Sequence, residues 1–195
     1  WLEWSLRADA LPAYRTWAAF LAQLEPDDKR LVLKDPFHMG CLDELFVVCP
    51  DACIVQTHRD PLDVVPSFHK LCHTMHAVLV DQPDRTRNAE AQTRWLERMV
   101  ERNIDARTRL APGRLVDVDY RALVADPIGE VARVHEAFGL PLTESHVARM
   151  RSFVADNGQR RHGANPYSTE EFGQTKAELA ERFADYRRRF EFDRR

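Results

Sequence analysis

A chain of 195 residues, 44% hydrophobic and 30% charged, has the size of one globular domain with a sizeable core. Its formal net charge of −3 excludes a bulk positive field for nucleic acid or anionic lipid, so any anion site must be local. No apolar run approaches a membrane span, and no signal-peptide pattern opens the chain.

Four cysteines occur at 41, 49, 53 and 72 without a Cys-x-x-Cys pair, which argues against a zinc ribbon or a thioredoxin motif. Cys41, Cys49 and Cys53 lie in apolar stretches and read as small buried hydrophobes in a reducing compartment. The expected location is the cytoplasm, with neither nucleic acid nor membrane as partner.

In chain order, the first element is helical: Trp17, Phe20, Leu21 and Leu24 mark one apolar face after Pro12. "RLVLK" (30–34) reads as a short buried strand stopped by Asp35-Pro36, and "GCLDELFVVCP" (40–50) has helical spacing. "CIVQTH" (53–58) is a second strand, followed by a helix from Pro61 to about Val80 and a long charged helix from Asn88 to about Leu110. "GRLVDVDY" (113–120) is a third strand. Helices follow at 127–138 and 143–156, then an irregular basic loop at 157–168 and a charged helix over 169–190. Strands alternating with helices predict an α/β fold, a mostly parallel sheet flanked by helices, with the whole chain as one domain. Ligands in such sheets sit at the carboxyl ends of the strands, here marked by Lys34, His58-Arg59 and Asp119-Tyr120.

Two stretches carry candidate chemistry. In "THRDPLDVVPSF" (57–68), Asp60 is a good N-cap and Pro61 a good first helical residue, so Arg59 falls beside the free N–H groups of a helix start. There it either grips an anion or forms a salt bridge at the sheet edge. In "LVLKDPFHMG", Lys34 ends a strand and His38 follows on the turn. A histidine near a lysine serves either as a general base with a charge-stabilising neighbour or as a structural pair. "HKLCHTMH" (69–76) spaces His69 and His73 one turn apart, but it lacks a zinc-protease glutamate and a distant ligand pair, so no metal is expected.

These stretches, followed by "VDYRALVADPIGEVARVHEAFGL", resemble the sulfotransferase family, and most closely the bacterial branch with K-[SD]-P-x-H and H-R-D-P-x-x-V-x-x-S. The resemblance runs from about Arg30 to Phe190. It implies an α/β fold related to nucleotide kinases and 3′-phosphoadenosine 5′-phosphosulfate as donor. Arg59 and Ser67 match the family's 3′-phosphate motif, Tyr120 its adenine-contacting tyrosine, and Arg161 with Gly163 its late 3′-phosphate stretch. Lys34 matches the active-site lysine, and His38 lies close to the catalytic histidine, though its spacing differs from the Lys-x-His of many members. The acceptor would be a hydroxyl or amine on a small molecule or glycan.

The glycine-rich loop that holds the 5′-phosphosulfate in the family has no counterpart; seven glycines occur, none before Gly40. Because the chain opens without methionine and enters a helical pattern at once, that loop is expected upstream of Trp1. The rival readings are a small-molecule kinase of related fold and a non-catalytic nucleotide-binding relative.

Overall fold

The computed structural model describes residues 2–5, 7–24, 30–157 and 168–192. Its helices and strands are, in order, α1 (Leu2–Ser5), α2 (Leu11–Leu24), α3 (Leu42–Val48), β1 (Ile54–His58), α4 (Pro61–Leu79), α5 (Arg85–Arg107), β2 (Leu115–Asp119), α6 (Tyr120–Ala125), α7 (Pro127–Ala137), α8 (Glu144–Asp156), α9 (Lys176–Arg182) and α10 (Ala184–Arg189). Short 3-10 turns occupy Pro36–Gly40 and Glu170–Phe172. The chain divides into two compact units: Trp1–Ala52 with Glu90–Ala111, and Cys53–Ala89 with Pro112–Arg195.

The first unit is helical. Leu42 and Leu45 of α3 and Trp95, Met99 and Ala106 of α5 are buried, and α2 packs on α3. The 3-10 turn starts because the Asp35 carboxylate accepts the Phe37 N–H at 2.8 Å and Pro36 needs no donor partner. It is fastened to α5 by Phe37 standing edge-on to Trp95, with centroids 5.1 Å apart, and by Asn103 Nδ2 donating to the Met39 carbonyl at 2.9 Å. Gly40 is buried there, and a Cβ at that position would meet Met99 Sδ at 2.0 Å, so any larger residue has to displace the Met99 side chain.

The second unit contains a parallel pair, β1 against β2, in register from Ile54↔Leu115 to His58↔Asp119. Helices α6 and α7 pack against β2, while α4 packs on α9 and α9 on α10. Val65, Val118, Phe172, Leu179 and Phe183 form its buried interior.

Three expectations are corrected. Residues 30–34 form no strand: the segment is irregular and Val32 is 92% exposed. A buried strand needs neighbours to pair with, and no described strand lies beside it. The helix expected over 169–190 is broken twice. Gly173 adopts a left-handed φ of 71°, Thr175 then starts α9 with a capping box, and Phe183 separates α9 from α10. Cys53 is exposed rather than buried, because residues 53, 55 and 57 alternate onto the open face of β1.

Candidate functional site

The register of the two strands assembles the candidate site in the second unit. His58 pairs with Asp119, so the next residues, Arg59 and Tyr120, emerge side by side at the carboxyl ends of both strands. The Arg59 guanidinium carbon lies 5.0 Å from the centre of the Tyr120 ring, a cation–π distance. Arg59 Nε also donates to Asp63 one turn along α4, at 3.4 Å. A cavity of about 100 Å³ opens here, lined by His58, Arg59, Asp60, Asp63, Asp119, Tyr120, Arg121 and Phe192.

The helix starts beside Arg59 are already capped. Asp60 accepts the Leu62 N–H at 3.0 Å, and Asp119 accepts the Arg121 and Ala122 N–H groups at 2.7 and 3.2 Å. The expectation that free helix N–H groups would share an anion with Arg59 is therefore corrected. Among the described residues that line this mouth, Arg59 and Arg121 are arginines.

The wall behind the mouth is polar but satisfied. His58 is buried, with Nδ1 2.7 Å from the Tyr186 hydroxyl and Nε2 2.6 Å from Asp117 Oδ1. Phe190 stacks on its imidazole at 3.8 Å. Arg187 of α10 donates to both oxygens of Asp60 at 3.1 and 3.3 Å, an ion pair with both side chains about 15% exposed. The C-terminal helix thus braces the residues on either side of Arg59.

Ser67 lies farther along α4, about 9 Å from the helix start by helical rise. It is not among the residues lining the cavity. In the first unit, Lys34 is exposed in the irregular segment. His38 is half-buried on the 3-10 turn, its Nδ1 2.7 Å from the Tyr14 hydroxyl. Burial holds its imidazole below the ordinary histidine range, with Asp35 opposing, so it is neutral near pH 7 and able to accept a proton. Arg161 and Gly163 lie outside the described residues.

Sequence reasoning missed Arg121, Phe192 and the bracing residues Tyr186 and Arg187. Arg121 was within reach, since "HRD" and "DYR" follow the two strands and in-register pairing brings them together. The other three come from more than 100 residues along the chain from Arg59, which no local pattern signals. Among the described residues, no group of three or more His, Cys, Asp or Glu side chains is placed to hold a metal ion, and no helix is long and apolar enough to cross a membrane.

Residues 3–144 match the family model described as "Sulfotransferase family". Over 169 residues the chain is 25% identical to omega-hydroxy-beta-dihydromenaquinone-9 sulfotransferase Stf3 of Mycobacterium bovis, covering 85% of this chain and 42% of that protein. The same values hold for Stf3 of Mycobacterium tuberculosis. Among solved structures, it is similar to sulfotransferase STF9 from Mycobacterium avium, with a TM-score of 0.86, 28% identity, and coverage of 95% of this chain and 48% of that one. Sulfotransferase STF1 from Mycobacterium tuberculosis H37Rv gives a TM-score of 0.77 at 30% identity, covering 94% and 48%. The chain spans less than half the length of each of these relatives.

Proposed function

The chain belongs to the sulfotransferase family, and on that premise we propose that it carries the nucleotide-anchoring and base-bearing part of an enzyme that uses 3′-phosphoadenosine 5′-phosphosulfate. The acceptor is a hydroxyl or amine on a small molecule or glycan. The observation that carries this reading is Arg59 over Tyr120 at the paired strand ends. A 3′-phosphorylated nucleotide calls for a guanidinium directed at a tetrahedral anion and a flat side chain for the base, and these residues supply both at one mouth.

Arg59 holds the 3′-phosphate, with Ser67, Arg161 and Gly163 as further ligands, and Tyr120 meets adenine. His38 takes the acceptor proton, and Lys34 steadies negative charge on the leaving oxygen. The donor supplies the activated sulfuryl group; the chain's own residues position it and manage the proton.

Calorimetric titration with adenosine 3′,5′-bisphosphate and with ATP tests the donor class. Binding of the bisphosphate but not ATP is expected, and the reverse preference would favour a small-molecule kinase. Sulfuryl transfer then separates an enzyme from a nucleotide-binding relative.

A further inference from the structure

Asp60 stands between Arg59 and the first residue of α4, and its carboxylate joins two elements of the second unit. Oδ1 accepts the Leu62 N–H at 3.0 Å and Arg187 Nε at 3.1 Å, while Oδ2 accepts Arg187 Nη2 at 3.3 Å. Asp60 lines the cavity at the strand ends; Arg187 reaches it from behind, on α10, and is not among the described lining residues. Neighbours on the same stretch hold Arg187 there. The Tyr186 hydroxyl meets His58 Nδ1 at 2.7 Å, and Phe190 stacks on the His58 ring at 3.8 Å.

The charges at the mouth give this pair a bearing on ligands. Among its described lining residues are three aspartates, Asp60, Asp63 and Asp119, against two arginines, Arg59 and Arg121. A lining of that kind repels a phosphate dianion unless carboxylate charge is compensated from outside it. Asp119 is answered in part by two N–H groups at the start of α6, and the field of the exposed Asp63 is damped by solvent. Asp60 is only 14% exposed and adjoins Arg59 in the chain, so its charge acts with little screening where the anion would sit.

We propose that Arg187 is a positioning residue of the anion site: its two-bond ion pair with Asp60 compensates the carboxylate next to Arg59, so that the mouth admits a phosphate. Released from Arg187, Asp60 both repels the anion and competes for the Arg59 guanidinium. A planar guanidinium suits the task because it fixes both carboxylate oxygens at once, which an ammonium does not. The inference rests on the reading of Arg59 as the residue that holds the 3′-phosphate.

The test is a cycle of variants in the full chain: Arg187→Met, Asp60→Asn and the two together, with Arg187→Lys as the charge-keeping control. Asparagine retains an oxygen for the Leu62 N–H, so α4 stays capped. In calorimetric titration with adenosine 3′,5′-bisphosphate, Arg187→Met should bind roughly 10-fold more weakly at low salt, with the loss shrinking at high salt. Asp60→Asn should bind about twofold or more tighter than wild type, and the double variant should return to within about threefold of it. Arg187→Lys should lie between wild type and Arg187→Met. A merely structural Arg187 would lower the melting temperature, and the affinity loss would be independent of salt and unrepaired by Asp60→Asn; that result would overturn the inference. Should Arg187→Met fail to fold, Asp60→Asn decides alone, since unchanged or weaker binding there is equally fatal.

Inorganic phosphate, followed by phosphorus-31 NMR, repeats the cycle without the nucleoside. The same order of affinities for phosphate, in a chain that does not take the bisphosphate, would sink the donor reading and keep the role of Arg187. Bisphosphate binding that is lost in Arg59→Ala yet indifferent to Arg187 and Asp60 would do the reverse. Failure of the wild-type chain to bind either anion would overturn both.

Discussion

Among the described residues, Arg59 meets the Tyr120 ring at 5.0 Å and the exposed Asp63 carboxylate at 3.4 Å. An exposed pair of this kind contributes at most about 1 kcal/mol, so an incoming phosphate displaces Asp63 at little cost. Arg59→Ala is therefore expected to weaken adenosine 3′,5′-bisphosphate binding by about 2–4 kcal/mol, the scale for losing one arm of a charged pair. Adenosine 5′-phosphate should lose far less; equal losses in calorimetry would make Arg59 a structural residue. Asp63→Asn carries the opposite sign. It removes a competing carboxylate and a like charge near the anion, so bisphosphate affinity should rise about two- to fivefold at low salt and converge with wild type at high salt. A loss of affinity would mean that Asp63 orients the guanidinium rather than competing for it.

At the scale of elements, the turn that carries His38 depends on one close approach. Gly40 ends the 3-10 turn against Met99 of α5, where a Cβ would lie 2.0 Å from Sδ. Gly40→Ala should thus destabilise the chain by about 1–3 kcal/mol through overpacking and shift the turn that positions His38. Met99→Ala opens a cavity of its own, yet the double variant should be less destabilised than the sum of the singles, because each relieves the other. Simple additivity in denaturant titrations would show that Gly40 does not bear on Met99. How legible such features were in the sequence follows from the range of the interactions involved. β1, β2 and α4 were readable because β-branched runs and the Asp60-Pro61 start are local signals, and the strand register then placed Arg59 beside Tyr120. Helix α6 was missed, although Asp119 after a strand is a visible N-cap. The strand expected at 30–34 failed because apolar composition does not reveal whether a partner strand is present. The Tyr186–His58 bond, spanning 128 residues, had no sequence signature at all.

Across the whole molecule, the titration of one histidine in each unit predicts how stability depends on pH. Burial lowers the pKa of His38 in the first unit. In the second, burial, Arg85, His76 and Lys70 all lower His73, whose Nδ1 is enclosed without a hydrogen-bond partner among the described residues. In the unfolded chain both return to the ordinary value near 6.5. Between that value and the lower folded ones the unfolded state binds more protons, so stability rises with pH in this interval. Stability should therefore be flat with respect to these groups above about pH 7.5 and should fall on acidification through 6.5, with the loss complete below the folded values. Glu170 and Glu178 act in a separate window. Hydrogen bonds hold both below the carboxylate range, so their contribution is present above the unfolded carboxylate pKa and is lost only in stronger acid. Thermal unfolding followed from pH 8 to pH 5 should show a decline that His38→Gln and His73→Gln each make shallower, and that the double variant reduces further. A melting temperature that climbs on acidification, or a slope indifferent to both substitutions, would mean that the folded chain accommodates these imidazoles in their charged form.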